Sequence, residues 1–486
     1  MPTYHEVYEA VIGLEVHTQL LTESKAYCAD SAAYGGSPNT QVSPISLGHP
    51  GTLPVPNERV MEFAVRLGLA VKADIREHNE FARKNYFYAD LPKGYQVTQD
   101  TTPICTGGFI EIKDKDGKPK KIRLTRIHME EDSGKSIHDL DPFNTLIDLN
   151  RAGVPLLEIV SEADLADSTE AYNYLTEVRK LVRYLDICDG NMEEGSMRCD
   201  ANISVKRKDT DAWGTKVEVK NMNSIRNVQR ALQYEFDRQI EAIEKGEEIF
   251  QETRTFDAAT GKTFVMRTKE DAHDYRYFPE PDLQPIKVEQ SYIDQVLAEL
   301  PPLPQELFRK YLKEYQLSEY DAGLLTDTKE IALYFEEIIK HTNNYKAAAN
   351  WIMGSIKSYL NEQAITMNEF NVPAEKIAAL IKLVDDNLVS NSVASQKVFP
   401  KLIENPEAEP KAIAEENNWI QSSDSSELEG YIKQAIAKYP EKVAEYNAGK
   451  KGLVGLFMGE VMKLSRGQAD PKTANKLLIN YLEKEA

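Results

Sequence analysis

The 486 residues carry 58 Lys and Arg against 78 Asp and Glu, a formal charge of −20, and 41% of them are hydrophobic. Apolar content of this order excludes wholesale disorder, and the length predicts two to four domains at roughly 100–200 residues each. No apolar run approaches the roughly 18 residues of a membrane helix, and the acidic excess argues against generic binding to nucleic acid or an anionic membrane.

The opening residues, MPTYHEVYEAVIGLEV, contain neither a basic leader nor an Arg-rich amphipathic one, so no targeting peptide is expected. Residues 11–20 (VIGLEVHTQL) alternate with the period of a strand, with Glu15, His17 and Gln19 on one face and Ile12, Leu14 and Val16 on the other. Cys28, Cys105, Cys188 and Cys199 stand alone, with no CxxC, and read as reduced cytosolic thiols. Residues 83–96 (RKNYFYADLPKGYQ) mix aromatics with Arg83, Lys84 and Lys93 around a turn at 92–94. That mixture could stack on a nucleotide or terminal base, but composition alone favours an aromatic-rich strand with that turn. A hairpin turn at 114–118 (DKDGK) leads to a strand over 121–130.

The run His128-Met129-Glu130-Glu131-Asp132 places three consecutive carboxylates after that strand, and Glu158 lies in the apolar segment 153–160 (GVPLLEIV). Together with Glu15 and His17 these are oxygen ligands and a histidine without a thiolate, a set that suits a hard cation such as Mg²⁺. The alternative is that Glu158 pairs with an arginine and the acidic run is a solvated loop. Helices are expected over 170–185 and 224–245, and strands over 201–207 and 216–220 with Val217 and Val219 inward. Arg198 and Asp200, two apart before the first of these strands, fit an ion pair as well as a catalytic role. From Pro301 onward the pattern turns helical. Ile377, Leu380, Ile381, Val384 and Leu388 form one core stripe, and residues 415–429 read as a linker. Residues 431–486 hold ten Lys/Arg against six Asp/Glu, so the acidic excess lies elsewhere.

Some chemistry is missing. Gly134-Lys135-Ser136 and Gly261-Lys262-Thr263 lack the upstream glycine of a P-loop, and there is no GxGxxG after a strand and no GxSxG elbow. Any ATP must be handled by another kind of site. Any ammonia must come from another protein, because no serine-rich amidase stretch is present.

Nine segments, in order and spacing, closely resemble the B-subunit family of aspartyl/glutamyl-tRNA amidotransferases (GatB): 12–20, 38–57, 83–96, 128–135, 148–162, 192–204, 274–282, 350–352 and 456–478. The resemblance implies an α+β chain with a cradle-like catalytic domain over 1–295. A helical domain over 296–414 and a linker with a basic helical tail domain over 415–486 follow. It implies a subunit that uses ATP and Mg²⁺ to phosphorylate the side-chain carboxylate of Glu on tRNA-Gln, or Asp on tRNA-Asn. Ammonia is channelled from an amidase A subunit that hydrolyses glutamine, and a small C subunit holds the two together; neither DNA nor a membrane is a partner. By the same resemblance Glu15, His17, Glu131 and Glu158 are the metal ligands, with Glu130 beside them. Glu130 and Glu131 are the cofactor-facing carboxylates, and Lys84, Tyr86, Arg151, Arg198 and Asp200 are the catalytic candidates. Lys450, Lys451, Lys463, Arg466, Lys472 and Lys476 are the phosphate contacts of a tail that holds tRNA.

One departure stands out. Many relatives hold a zinc ion with four cysteines, CxC…CxxC, and the matching positions here are Cys28, Asp30, Ser43 and Ser46. With one thiol of four, structural zinc is not expected, and packing and turns at Pro44, Gly48, Pro50 and Gly51 are expected to hold the loop. The rival readings are a non-catalytic tRNA-binding scaffold, which has no need of the acidic cluster, and a stand-alone Mg²⁺-dependent ligase, which has no need of a basic tail.

Overall fold

The structure is a computed structural model and describes residues 4–268, 275–421, 425–465, 469 and 471–484. The chain divides into two units, residues 1–304 and 305–486. In chain order the strands that matter in the first are β1 (Tyr8–Gln19), β2 (Asp74–Ile75), β3 (Ala82–Asn85), β4 (Tyr95–Thr98), β5 (Cys105–Thr106) and β6 (Phe109–Lys113). They continue with β7 (Pro119–Glu131), β8 (Pro155–Ser161), β9 (Met197–Arg207), β10 (Val217–Lys220), β11 (Glu252–Asp257) and β12 (Lys262–Thr268). Among the described residues ten of these make one sheet, in the order β12-β11-β10-β9-β1-β8-β7-β5-β2 with β6 joined to β7. Strands β3 and β4 form a separate antiparallel pair, extended by Phe278–Pro279.

Alternation along β1 dictates how the sheet is used. Ile12, Leu14 and Val16 are buried, and their cross-strand neighbours Ile203, Ala201 and Ile159 are buried too. With Val217 and Val219 they make an apolar face in one core with Phe63 and Leu67 of α1 (Glu58–Ala70), Tyr174 and Val178 of α2 (Ser168–Tyr184), and Val228 and Leu232 of α3 (Ile225–Lys245). An antiparallel sheet packed on one side leaves the other free for polar groups, and this is the side that carries Glu15, His17 and Glu158. The helices begin where capping chemistry lets them. Asp167 accepts from the backbone N–H groups of Thr169 and Glu170, and Ser224 accepts from that of Asn227. α3 ends at Gly246, whose φ of 73° costs a glycine little.

The 114–118 turn forms as expected, with the Asp114 side chain accepting from the backbone N–H groups of Asp116 and Lys118. The strand after it is longer than its pattern suggested. β7 runs from Pro119 through Glu131, one residue past the expected end, so Glu131 joins Glu130 in the strand, and both are buried and not in a solvated loop. Burial on both faces at this end of β7 hides the alternation that would have extended the strand.

The described residues of the second unit are helical. Ile377, Leu380 and Ile381 are buried as expected of a core stripe, while Val384 and Leu388 are half-buried. Residues 410–416 and 425–438 are helices, so the stretch read as a linker is helical at both ends. The helices 425–438, 440–447, 454–464 and 471–484 share a core that includes Leu428, Ile432, Val443, Phe457, Val461, Leu478 and Leu482. All four cysteines are unpaired. Among the described residues no helix is long and apolar enough to cross a membrane.

Candidate active site

Four adjacent strands bring one row of side chains together. In the antiparallel registers Arg198 of β9 lies opposite His17 of β1, His17 opposite Glu158 of β8, and Glu158 opposite His128 of β7. Residues paired in this way have neighbouring side chains on the same face. Glu158 consequently sits between two imidazoles: its Oε2 is 3.3 Å from His17 Nε2 and 3.0 Å from His128 Nε2. Glu130, two residues beyond His128 and so on the same face, places Oε2 3.3 Å from the same His128 nitrogen and accepts from Thr98 Oγ1 at 3.2 Å. Lys84 reaches Glu130 Oε1 from β3 at 3.4 Å, with its ammonium 5.3 Å from the centre of the Tyr275 ring.

Charges in this cluster hold one another in place. Burial alone would raise the Glu158 carboxyl, but His128 and His17 outweigh it and hold it well below the usual carboxylate range. Burial likewise opposes a proton on His128, yet Glu158 and Glu130 push it up to about 9. His17 is raised in the same way, burial being outweighed by its hydrogen bond to Glu158. Against its own burial, Glu130 is lowered by Lys84 and His128. Lys84 is raised because Glu130 and Glu158 outweigh burial. Glu15, which accepts from Asn202 Nδ2 at 3.0 Å, is raised by burial and by the nearby charges of Glu158 and Asp200.

Beside the row lies an arginine clamp. Asp132 is buried and receives Arg198 Nη2 at 2.7 Å and Gln19 Nε2 at 2.7 Å, with Arg151 Nε 3.7 Å away. Against burial, the two guanidinium groups lower the Asp132 carboxyl. Arg151 also donates to the carbonyls of Ser133 and Gly134, and Arg198 keeps a buried Nε without a partner. Asp200, two residues along β9 from Arg198 and so on the same face, forms an ion pair with Lys220 at 2.5 Å.

Glu131 does not join the cluster. The two-residue repeat of β7 turns it to the face opposite Glu130, where it pairs with Lys93 and accepts from the Val97 N–H at 2.9 Å. The side chain that completes the group is His128, which the acidic residues around it had overshadowed. The signal was available in the strand period, because His128 and Glu130 share a parity that Glu131 lacks. Tyr86 is close by: its hydroxyl donates to Gln96, whose amide donates to the Glu131 carbonyl at 2.7 Å. Burial raises the Tyr86 hydroxyl, so it keeps its proton.

The donor set fits a divalent cation. His128, Glu130 and Glu158 each offer one ligand atom, and these atoms lie within 4.8 Å of one another in a buried setting without thiolate. The tail candidates belong to the second unit. Lys463, Lys472 and Lys476 are exposed on two helices, Lys450 pairs with Glu445 at 3.0 Å, and the Lys451 ammonium lies 3.9 Å from the centre of the Tyr446 ring. Arg466 lies outside the described residues.

Comparison with known proteins finds likeness over nearly the whole chain. Residues 10–294 match the GatB/GatE catalytic domain, and residues 333–482 match the GatB domain. The chain is 46% identical over 476 residues to the B subunit of the aspartyl/glutamyl-tRNA(Asn/Gln) amidotransferase of Thermodesulfovibrio yellowstonii, covering 98% of this chain and 99% of the relative. It is 48% identical over 476 residues to the protein of the same name from Chlorobium chlorochromatii, with the same coverage. The Persephonella marina protein is 46% identical over 477 residues, covering 98% of this chain and all of the relative. With a catalytic-domain match over residues 10–294 and relatives aligned over nearly their full length, the chain belongs to the GatB/GatE family.

Proposed function

We propose that this chain is the B subunit of a tRNA-dependent amidotransferase that makes Gln-tRNA-Gln or Asn-tRNA-Asn. One observation carries the reading: two imidazoles, two carboxylates and a lysine meet on the polar face of the sheet, in a chain that aligns with amidotransferase B subunits over 98% of its length. The reaction is a carbon–nitrogen ligation with glutamine as the amide donor. A carboxylate is a poor electrophile, because its charge repels nucleophiles and oxide leaves badly. Transfer of the γ-phosphoryl group of ATP to a carboxylate oxygen releases ADP and gives a mixed anhydride. Ammonia then attacks the carbonyl carbon and phosphate leaves. Water would attack the same carbon, so the site must be enclosed.

His128, Glu130 and Glu158 would hold Mg²⁺, with His17 and Glu15 beside them, and a bound Mg²⁺ supplies neutralisation of phosphate charge. The chain's own residues do the rest by position and charge, which is most of what phosphoryl transfer asks of a protein. Arg198 and Arg151, anchored on Asp132, direct guanidinium groups toward anionic oxygens. Lys84 keeps its proton beside Glu130 and serves as a fixed positive charge, while Tyr86 supports the wall next to it. Asp200 and Lys220 extend the polar face as a pair. Glu131 braces Lys93 and β4 from the other side of β7.

The partners are the amidase A subunit, the small C subunit and mischarged tRNA, with the basic tail on tRNA, in the cytoplasm. Co-expression with candidate A and C subunits, followed by amidation of Glu-tRNA-Gln and Asp-tRNA-Asn with and without Mg²⁺–ATP, tests the reading. Amidation that requires Mg²⁺–ATP supports it. Assembly of a complex that amidates neither substrate, or amidates without ATP, overturns it.

A further inference from the structure

The four positions at which the family resemblance implies a zinc site, Cys28, Asp30, Ser43 and Ser46, meet in space here without the means to hold zinc. They offer one thiol, one carboxylate and two hydroxyls, whereas structural zinc takes four thiolate or imidazole ligands. Instead the donors converge on a single oxygen. Asp30 Oδ2 accepts from Ser46 Oγ at 2.6 Å, from the Ser43 N–H at 2.9 Å and from Cys28 Sγ at 3.3 Å. The Asp30 carbonyl also accepts from the Lys25 N–H at 2.9 Å, and the buried Lys25 ammonium donates to the Gln41 carbonyl at 2.7 Å. Of the four side chains, the Ser43 hydroxyl is the one buried without a partner. The loop is therefore held by more than the packing and turns expected of it, because a carboxylate that accepts three hydrogen bonds fixes three chain positions at once.

This loop reaches the neighbourhood of the site. The Leu47 N–H donates to the Ser43 carbonyl at 3.0 Å and the Gly48 N–H to the Ile45 carbonyl at 3.0 Å, so Ser43 to Gly48 form one hydrogen-bonded turn. Gly48 has a φ of +69°, and a Cβ there would lie 2.7 Å from Lys93 Cγ. The turn thus lies directly against Lys93, which pairs with Glu131. Ser46, Gly48, Lys93 and Glu131 line one cleft of about 210 Å³.

We propose that the Asp30 carboxylate takes the place of a metal ion in this chain, tying residues 28–46 together by hydrogen bonds and, through the 43–48 turn, positioning Lys93 against Glu131. The inference stands independently of the amidotransferase reading, because its readouts are metal content, amide exchange and lysine reactivity. The full-length chain is produced with zinc in the medium as wild type, Asp30→Ala, Asp30→Asn, and the triple variant D30C/S43C/S46C. Wild type is expected to carry far less than one zinc per chain, and a chelator is expected to leave its exchange unchanged. Asp30→Ala should speed exchange of amides 28–48 by about ten-fold or more and raise acylation of Lys93, while β1 and β9 stay protected. Should Asp30→Ala fail to fold, Asp30→Asn, which keeps one accepting oxygen, should show a smaller rise. The triple variant, with Cys28, should take up one zinc, show wild-type exchange when loaded and lose that protection on chelation. Stoichiometric zinc in wild type, unchanged loop exchange and Lys93 reactivity in both Asp30 variants, or a triple variant that takes up no zinc would overturn the proposal.

Discussion

The strand period of β7 separates two adjacent glutamates, and that separation has a measurable consequence. Glu130→Gln removes a carboxylate whose oxygens face His128 at 3.3 Å and Lys84 at 3.4 Å. Glu131→Gln instead leaves Lys93 without its anion and weakens the bond from the Val97 N–H at 2.9 Å, on the other face. Loss of an outer partner of a metal site costs about 10–100-fold in affinity, so loss of a ligand at Glu130 should cost about a hundred-fold or more. Glu131 holds no ligand atom in that group. Its replacement should leave metal affinity within about three-fold and show up as lost stability, about 1.5–3 kcal/mol for a hydrogen-bonded charge. Titration of the complex with Mn²⁺ by electron paramagnetic resonance, beside its thermal melt and its tRNA-dependent ATP hydrolysis, reads both effects. Equal loss of metal affinity in the two variants would refute the grouping drawn from strand parity.

Three more tests address other parts of the molecule. His128→Ala should lower metal affinity and tRNA-dependent ATP hydrolysis as severely as Glu158→Gln, and hydrolysis at the wild-type rate would remove His128 from the site. Deleting the residues after Glu429 should weaken tRNA binding in a filter or anisotropy assay while the complex still hydrolyses glutamine; unchanged tRNA affinity would remove the role of the tail. Glu235 is fully buried between Arg238 at 2.8 Å and Arg254 at 3.0 Å, so Glu235→Ala should cost about 3–5 kcal/mol of stability, read from a denaturant melt. Against burial, Arg238, Thr263 and Arg254 lower the Glu235 carboxyl, so its contribution is complete above the ordinary glutamate value of about 4.3. That contribution is lost as the pH falls through the lowered folded value, and the gap between wild type and variant should close in acid. A gap that did not narrow however far the pH was lowered would contradict the assignment.

Local pattern made much of this protein legible. Alternation in 11–20 identified a strand with Glu15, His17 and Gln19 on one side. Capping by Asp167 and Ser224 agrees with the helices expected near 170 and 224, and the basic bias of the tail is plain in its composition. Motif likeness supplied the family, because long segments in fixed order are a property of the chain alone. What the sequence does not encode locally is which strands become neighbours. The row Arg198–His17–Glu158–His128 joins positions as far apart as 17 and 198, and it exists only because β9, β1, β8 and β7 pair in one register. A shift of one residue would turn each of these side chains to the other face. The same dependence on pairing drew His128 into the site, sent Glu131 to Lys93, and closed residues 28–46 around the Asp30 carboxylate. Residue chemistry is thus written along the chain, whereas the electrostatic company each residue keeps is decided by long-range pairing and burial.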